Sequence, residues 1–119
     1  ELVILELGGN DGLRGYPTSR IKDNLAQIID KCQQAGADVI LIGMILPANY
    51  GYRYPQAFQN LYTQVAKEKQ HITFIPFLLQ GPTTPRALLQ GDGIHPTAAA
   101  QPLILDNLWP LLKTWINSH

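Results

Sequence analysis

The stretch Val39–Ile42, which reads VILI, is apolar at every position and lacks the alternation of a strand with one solvent-facing side. Such a strand is typical of a parallel sheet whose two faces are both covered. Leu2–Leu7 (LVILEL) and Ile72–Ile75 (ITFI) repeat the pattern before and after it. The sequence therefore predicts three buried strands over these ranges.

Helical patterns separate the predicted strands. Thr18 or Ser19 is expected to cap the first helix and Gly36 to stop it. A second helix is expected to start at Pro55. A last one is expected near Thr97, kinked or split by Pro102 and Pro110. The residues predicted to face inward are, in chain order, Ile21, Leu25, Ile28, Ile29, Cys32, Phe58, Leu61, Tyr62, Val65, Leu103, Leu105, Leu108, Leu112 and Trp115.

This alternation predicts an α/β fold, with right-handed crossovers and helices on both faces of a parallel sheet. No linker or repeat divides the chain, so residues 1–119 are predicted to form a single domain. Three strands make a thin sheet with exposed edges, and an apolar edge favours pairing. We therefore expect N-terminal strands to be missing, and self-association or pairing with another segment through Leu2–Leu7.

Composition narrows the classes of partner. Charged residues make up 15% of the 119 residues and the formal net charge is zero, without a basic stripe, so nucleic acid is not an expected partner. The longest apolar run, Val39–Leu46, is far shorter than the roughly 20 residues that span a bilayer. Cys32, the single cysteine, lies on a helical apolar stripe and is interpreted as a core residue. No cofactor is implied.

The loop Gly8–Gly12 (GGNDG) directly follows the first strand, and ligands of open α/β sheets bind beyond the carboxyl ends of the strands. Its glycines, Gly9 among them, permit positive φ and a close approach of substrate to the backbone. The Asn10 amide has the chemistry to donate a hydrogen bond to a developing oxyanion. Taken alone, the same residues also fit an ordinary polar turn.

A second polar loop, Gly91–Pro96 (GDGIHP), precedes the last helix. Asp92 is placed to accept the Nδ1 proton of His95, which leaves Nε2 as a general base. A polar turn capping the helix is the alternative. If this loop converges with Asn10 on one crevice, the combination predicts acyl transfer. A metal site made of Asp11, Asp92 and His95 is a weaker hypothesis, because these residues lack a spaced ligand motif.

These blocks resemble the SGNH (GDSL) hydrolases along the whole chain, and most the bacterial acyl-thioesterase I, lysophospholipase and arylesterase branch. Gly8–Asp11 matches the family's Gly-x-Asn-Asp block, and Asp92–His95 matches its Asp-x-x-His block. The segments 11–15 and 46–51 resemble loops that flank the acyl site. The resemblance implies a three-layer, flavodoxin-like sheet, with Asn10 as oxyanion donor, His95 as base and Asp92 as its orienting acid. The residues that it implies for substrate binding are Asp11, Leu13, Ile45, Leu46, Tyr50 and Ile94.

The chain departs from the family in two ways. The Gly-Asp-Ser block, which carries the nucleophile, has no counterpart here, and neither does the block with a glycine oxyanion donor. The only serines are Ser19, interpreted as a helix cap, and Ser118, next to the last residue. We therefore expect the chain to be the C-terminal part of such an enzyme. Ile45 stands where relatives tend to carry Arg, which favours a more apolar acyl pocket.

The leading hypothesis is an ester or thioester hydrolase with a Ser-His-Asp triad whose serine lies outside this chain. Its substrate would be a small acyl ester or thioester, and the resemblance implies a periplasmic or secreted protein. One alternative is that the chain alone is an inactive fragment or an interaction module. Another is a lipid or carbohydrate binder on the same fold.

Overall fold

The computed structural model describes residues 1–46, 51, 53–77, 89–90 and 95–119. They belong to two compact units, Glu1–Phe77 and Leu78–His119. No helix within the described ranges is both long and apolar enough to cross a membrane.

The first unit contains a parallel sheet flanked by helices, as predicted. Its strands are β1 (Leu2–Leu5), β2 (Asp38–Ile42) and β3 (Ile72–Ile75), in the order β1-β2-β3. In the register, Leu41 lies between Leu5 of β1 and Phe74 of β3. β1 ends two residues before the predicted Leu7, because the chain leaves the sheet there towards a turn.

Burial on both faces is confirmed for β2 and wrong for the outer strands. Residues 39–42 of β2 are at most 3% exposed, whereas Ile4 of β1 is 42% exposed. Thr73 of β3 is also exposed. The register places Ile4 and Thr73 on either side of Ile40 and on its face of the sheet. On this face of the sheet, the central position is therefore buried and the two outer positions are exposed.

Three helices complete the first unit: α1 (Gly9–Leu13), α2 (Thr18–Gln34) and α3 (Arg53–Glu68). α3 begins two residues before the predicted Pro55. Its inward stripe is confirmed, since Phe58, Leu61, Tyr62 and Val65 are all at most 2% exposed.

The ends of α2 differ in how well they were predicted. Gly36 is the stop, with φ 83°, and the Gly36 and Ala37 amides donate to the Gln33 and Cys32 carbonyls at 3.0 Å. This pair of bonds is the Schellman arrangement, which requires the left-handed conformation that glycine adopts easily. The N-cap prediction of Thr18 or Ser19 is wrong. Pro17 is the N-cap, and its carbonyl accepts from Arg20 and Ile21 instead.

The inward stripe of α2 is narrower than predicted. Ile21, Leu25 and Ile29 are at most 2% exposed. Ile28 and Cys32 are only half-buried, since Ile28 lies at the edge of the stripe and Cys32 in the last turn of the helix. The interpretation of Cys32 as a buried core residue is therefore wrong, since it is only half-buried.

The second unit contains a 3-10 turn, Ala98–Ala100, followed by α4 (Gln101–Asn117). Pro110 lies inside α4 and does not split it, and Pro102 lies at its start, where no amide proton is needed. Leu103 and Leu105 are 38% and 56% exposed, so their predicted inward orientation is wrong. The half-buried residues of α4 form a stripe that contains Ile104 and neither of these leucines. The stripe consists of Ile104, Asn107, Leu108, Leu112 and Trp115.

Candidate active site

The candidate site in the first unit begins where β1 turns into α1. Gly8 is the N-cap of α1, with φ 107°, a conformation that side chains of L-residues disfavour. Its carbonyl accepts the Gly12 amide proton at 2.9 Å, which closes the first turn. The predicted positive φ is thus confirmed, whereas the predicted loop is a short helix from Gly9 onward. The left-handed conformation of Gly8 therefore allows α1 to begin at the next residue.

α1 contains several of the residues that were predicted from the sequence to belong to the site. Asn10 is its second residue and is exposed, and Asp11 and Leu13 are half-buried. Gly9 is buried beneath them. The helix therefore presents the Asn10 side chain to its surroundings while its glycines face the protein.

α1 packs against side chains of helix α3. A Cβ atom on Gly12 would collide with Cε1 of Phe58, so the α1 backbone packs directly on this ring. Phe58 in turn packs edge-to-face against Tyr62, with ring centroids 5.3 Å apart. Only glycine fits at position 12, because any side chain would displace a ring that is completely buried.

Tyr62 anchors the start of the turn. Its hydroxyl donates a hydrogen bond to the Leu7 carbonyl at 2.7 Å. Burial raises the pKa of Tyr62 well above its ordinary value of 10.0, and the nearby carboxylates of Asp11 and Glu6 raise it further. The hydroxyl therefore stays protonated, and remains a donor, throughout the physiological pH range. The sequence predicted Tyr62 only as a core residue. The signal for more was that a buried tyrosine needs a hydrogen-bond partner.

Residues after β2 emerge at the same edge of the sheet, because β1 and β2 are parallel and adjacent. Of the predicted acyl-site residues there, Ile45 is 38% exposed and Leu46 only 4%. Ile45 thus offers apolar surface to a ligand, whereas Leu46 offers almost none. Tyr50 lies outside the described residues.

His95 belongs to the second unit and is half-buried. Its carbonyl accepts the Gln90 amide proton at 2.7 Å, and the next residue, Pro96, pairs with Leu89 in an antiparallel bridge. These contacts hold the backbone on both sides of His95. Asp92 and Ile94 lie outside the described residues, so the Asp92–His95 pair and the convergence of His95 with Asn10 remain predictions.

His71 and His119 are both exposed. Within the described part of the chain, no three His, Cys, Asp or Glu side chains are grouped as metal ligands would be. The weaker metal hypothesis includes Asp92 and is therefore not tested.

Comparison with known proteins identifies similar sequences and folds. A sequence model of the GDSL-like Lipase/Acylhydrolase family matches residues 1–102. Esterase TesA of Pseudomonas aeruginosa is 47% identical over 112 residues, which are 94% of this chain and 55% of that protein. Thioesterase 1/protease 1/lysophospholipase L1 of Escherichia coli is 40% identical over 115 residues, which are 97% of this chain and 55% of that protein.

A similar fold is found among solved structures. The psychrotrophic esterase EstA from Pseudoalteromonas sp., in a structure inhibited by monoethylphosphonate, matches with a TM-score of 0.81 and 36% identity, covering 97% of this chain and 62% of that one. The chain thus spans about half the length of the curated relatives named above, at 55% of each.

The buried Tyr62 hydroxyl predicts a specific loss of stability in alkaline solution. Since the folded state binds this proton more tightly than the unfolded chain, the stabilisation is fully present below pH 10 and decreases above it. Above pH 10 the decrease attributable to Tyr62 approaches a limit of about 1.4 kcal/mol per pH unit. In urea unfolding between pH 9 and 11, the free energy of unfolding should therefore decrease less steeply with pH for Tyr62→Phe than for the wild type.

Tyr16→Phe is the matched control, because Tyr16 is 46% exposed, and it should follow the wild type. If the free energy of unfolding decreased equally steeply in the wild type and in Tyr62→Phe, the assignment of a tightly held proton to Tyr62 would be contradicted.

Proposed function

The chain belongs to the GDSL-like lipase/acylhydrolase family, and we propose that the protein carrying it hydrolyses esters or thioesters through a covalent acyl-enzyme. The observation that carries the proposal is the position of Asn10, exposed on α1 immediately beyond the carboxyl end of β1. Ligands of open α/β sheets bind at this edge. The names of the relatives, esterase and thioesterase among them, support the same class of reaction.

His95 is the proposed general base. As a serine hydroxyl attacks the carbonyl carbon of the substrate, Nε2 of His95 takes its proton and then donates it to the departing alcohol or thiol. Asp92 accepts the Nδ1 proton, which fixes the tautomer and stabilises the imidazolium. Water then attacks the carbonyl carbon of the acyl-enzyme and loses a proton to His95. As the bond between this carbon and the serine oxygen breaks, His95 returns the proton to the serine and the carboxylic acid leaves.

Asn10 is the proposed oxyanion donor. The carbonyl oxygen gains negative charge in the tetrahedral intermediate, and a preorganised amide N–H stabilises that charge more than it stabilises the neutral substrate. The hydrogen bond therefore accelerates acylation and deacylation alike.

The proposed nucleophile is a serine outside these 119 residues. Ser19 is exposed in the first turn of α2, and it follows β1 only after the whole of α1. Ser118 lies at the end of α4, with its hydroxyl bonded to the Thr114 carbonyl at 2.9 Å. Neither position has the strand-end placement that a nucleophile of this fold needs.

Leu13, Ile45 and Tyr50 are proposed to line the path of the acyl chain beside α1, and Asp11 and Ile94 are proposed to contact the substrate. Leu46, which the family resemblance also implies for substrate binding, is too deeply buried to contact the acyl chain directly. Exposure of Ile45 supports an apolar path there. One apolar pocket accepts the acyl part of thioesters, lysophospholipids and aryl esters alike, so the proposal extends to the class and not to one member. A periplasmic or secreted location remains a prediction, as does association through the outer edge of β1.

Two substitutions test the proposed roles in the full-length protein. With a p-nitrophenyl ester, Asn10→Ala should lower kcat by about 10²- to 10³-fold, the usual loss for one oxyanion donor. His95→Ala should lower it by about 10⁴-fold or more, because the base and nucleophile act as a unit. Exposed residues of the same types serve as controls, and Asn24→Ala and His71→Ala should retain wild-type turnover. Unchanged turnover in His95→Ala or Asp92→Ala would show that the assignment is wrong.

The source of the nucleophile is tested with a fluorophosphonate probe. We expect covalent labelling of the full-length protein and none of the 119-residue chain, whose serines are poorly placed. This result also separates the hydrolase from the alternative of an inactive module or a lipid or carbohydrate binder, which no probe should label at any length. Stable labelling of the 119-residue chain would overturn the proposal of a nucleophile outside it.

A further inference from the structure

We propose that Tyr62 is a positioning residue, whose hydrogen bond to the Leu7 carbonyl sets the place from which Asn10 donates to the oxyanion. This inference rests on the proposed function, since it assigns Tyr62 a role through Asn10.

Helix α1 cannot hold Asn10 in place by itself. It has five residues, fewer than the roughly 12 to 15 that an isolated helix needs to be even marginally stable in water. Asn10 is exposed, so burial of its own side chain does not anchor it either. The position of the Asn10 amide therefore depends on what fixes the backbone at the start of α1.

The Tyr62 hydroxyl acts at that point. It bonds the Leu7 carbonyl at 2.7 Å, and this carbonyl belongs to the peptide group that joins Leu7 to Gly8. Gly8 is the N-cap, so the plane of this peptide sets the direction in which α1 leaves β1. Asn10 follows two residues later. A small rotation of the Leu7–Gly8 peptide would therefore swing the Asn10 amide away from its position.

The contact leaves little room for such a rotation. A Cβ atom on Gly8 would lie 2.5 Å from the Tyr62 hydroxyl oxygen and 3.2 Å from Cγ2 of Ile21. The backbone thus packs directly on both side chains. Tyr62 is itself only 1% exposed, so bulk water does not compete for its hydroxyl. Its ring is held by Phe58 one helical turn earlier.

Loss of the hydroxyl should therefore affect the transition state more than substrate binding. In Tyr62→Phe the ring still fills the core, and the Leu7–Gly8 peptide gains freedom. Because a misplacement of about 1 Å costs on the order of 100-fold in rate, a partial loss of order should lower kcat by roughly tenfold and leave KM nearly unchanged.

The test is a double-mutant cycle in the full-length protein, with kcat and KM measured for a p-nitrophenyl ester in the wild type, Asn10→Ala, Tyr62→Phe and the double variant. Thermal unfolding of each variant sets an assay temperature at which all are folded. Tyr54→Phe is the matched control. It also removes a hydroxyl from α3 that donates to a backbone carbonyl, but the acceptor, Tyr16, lies beyond the end of α1.

If Tyr62 acts through Asn10, Tyr62→Phe lowers kcat only when Asn10 is present, and Tyr54→Phe lowers it in neither background. A loss of the same size with and without Asn10, or no loss at all, would overturn the inference while leaving the proposed function intact. If Asn10→Ala itself leaves kcat unchanged, the oxyanion role fails, and the role of Tyr62 fails with it.

Discussion

The hydrogen bond between the Tyr62 hydroxyl and the Leu7 carbonyl joins parts of the chain that are 55 residues apart. The bond links α3 to the point where β1 leaves the sheet. The segment that follows β1 approaches α3 so closely that there is room for its backbone but not for side chains. Gly8 and Gly12 meet this requirement, because a Cβ on either would collide with Tyr62 or Phe58. The aromatic core of α3 and the glycine pattern of the site are therefore one structural feature.

Local patterns in the sequence predicted the elements that neighbouring residues determine. The three strands, the inward stripe of α3 and the stop at Gly36 all follow from apolar periodicity or from glycine conformation. The errors occur where distant parts of the chain decide. Exposure of Ile4 depends on what covers an outer strand. The five leucines of α4 make its apolar stripe ambiguous when only the sequence is considered.

In the candidate site, too, features set by neighbouring residues were predicted and features set by distant residues were missed. Asn10 and His95 could be selected from the sequence, because an amide after a glycine turn and an Asp-x-x-His block have recognisable chemistry, and the family that they resemble is the one to which the chain belongs. The short helix α1 was missed because GGNDG has low helix propensity, and packing on Phe58 overrides it. The hydrogen bond of Tyr62 was missed because its acceptor is a backbone carbonyl, which no sequence motif reveals.

In the proposed mechanism, the turn held by Tyr62 presents Asn10 to an oxyanion. A crystal structure of the full-length protein, after reaction with a phosphonate ester that mimics the tetrahedral intermediate, tests it most directly. We expect the phosphonyl oxygen to accept a hydrogen bond from Asn10 Nδ2 at about 2.7–3.1 Å, with the Tyr62–Leu7 bond intact. A phosphonyl oxygen bound by other donors, with the Asn10 amide turned away from it, would rule out the proposed role of Asn10.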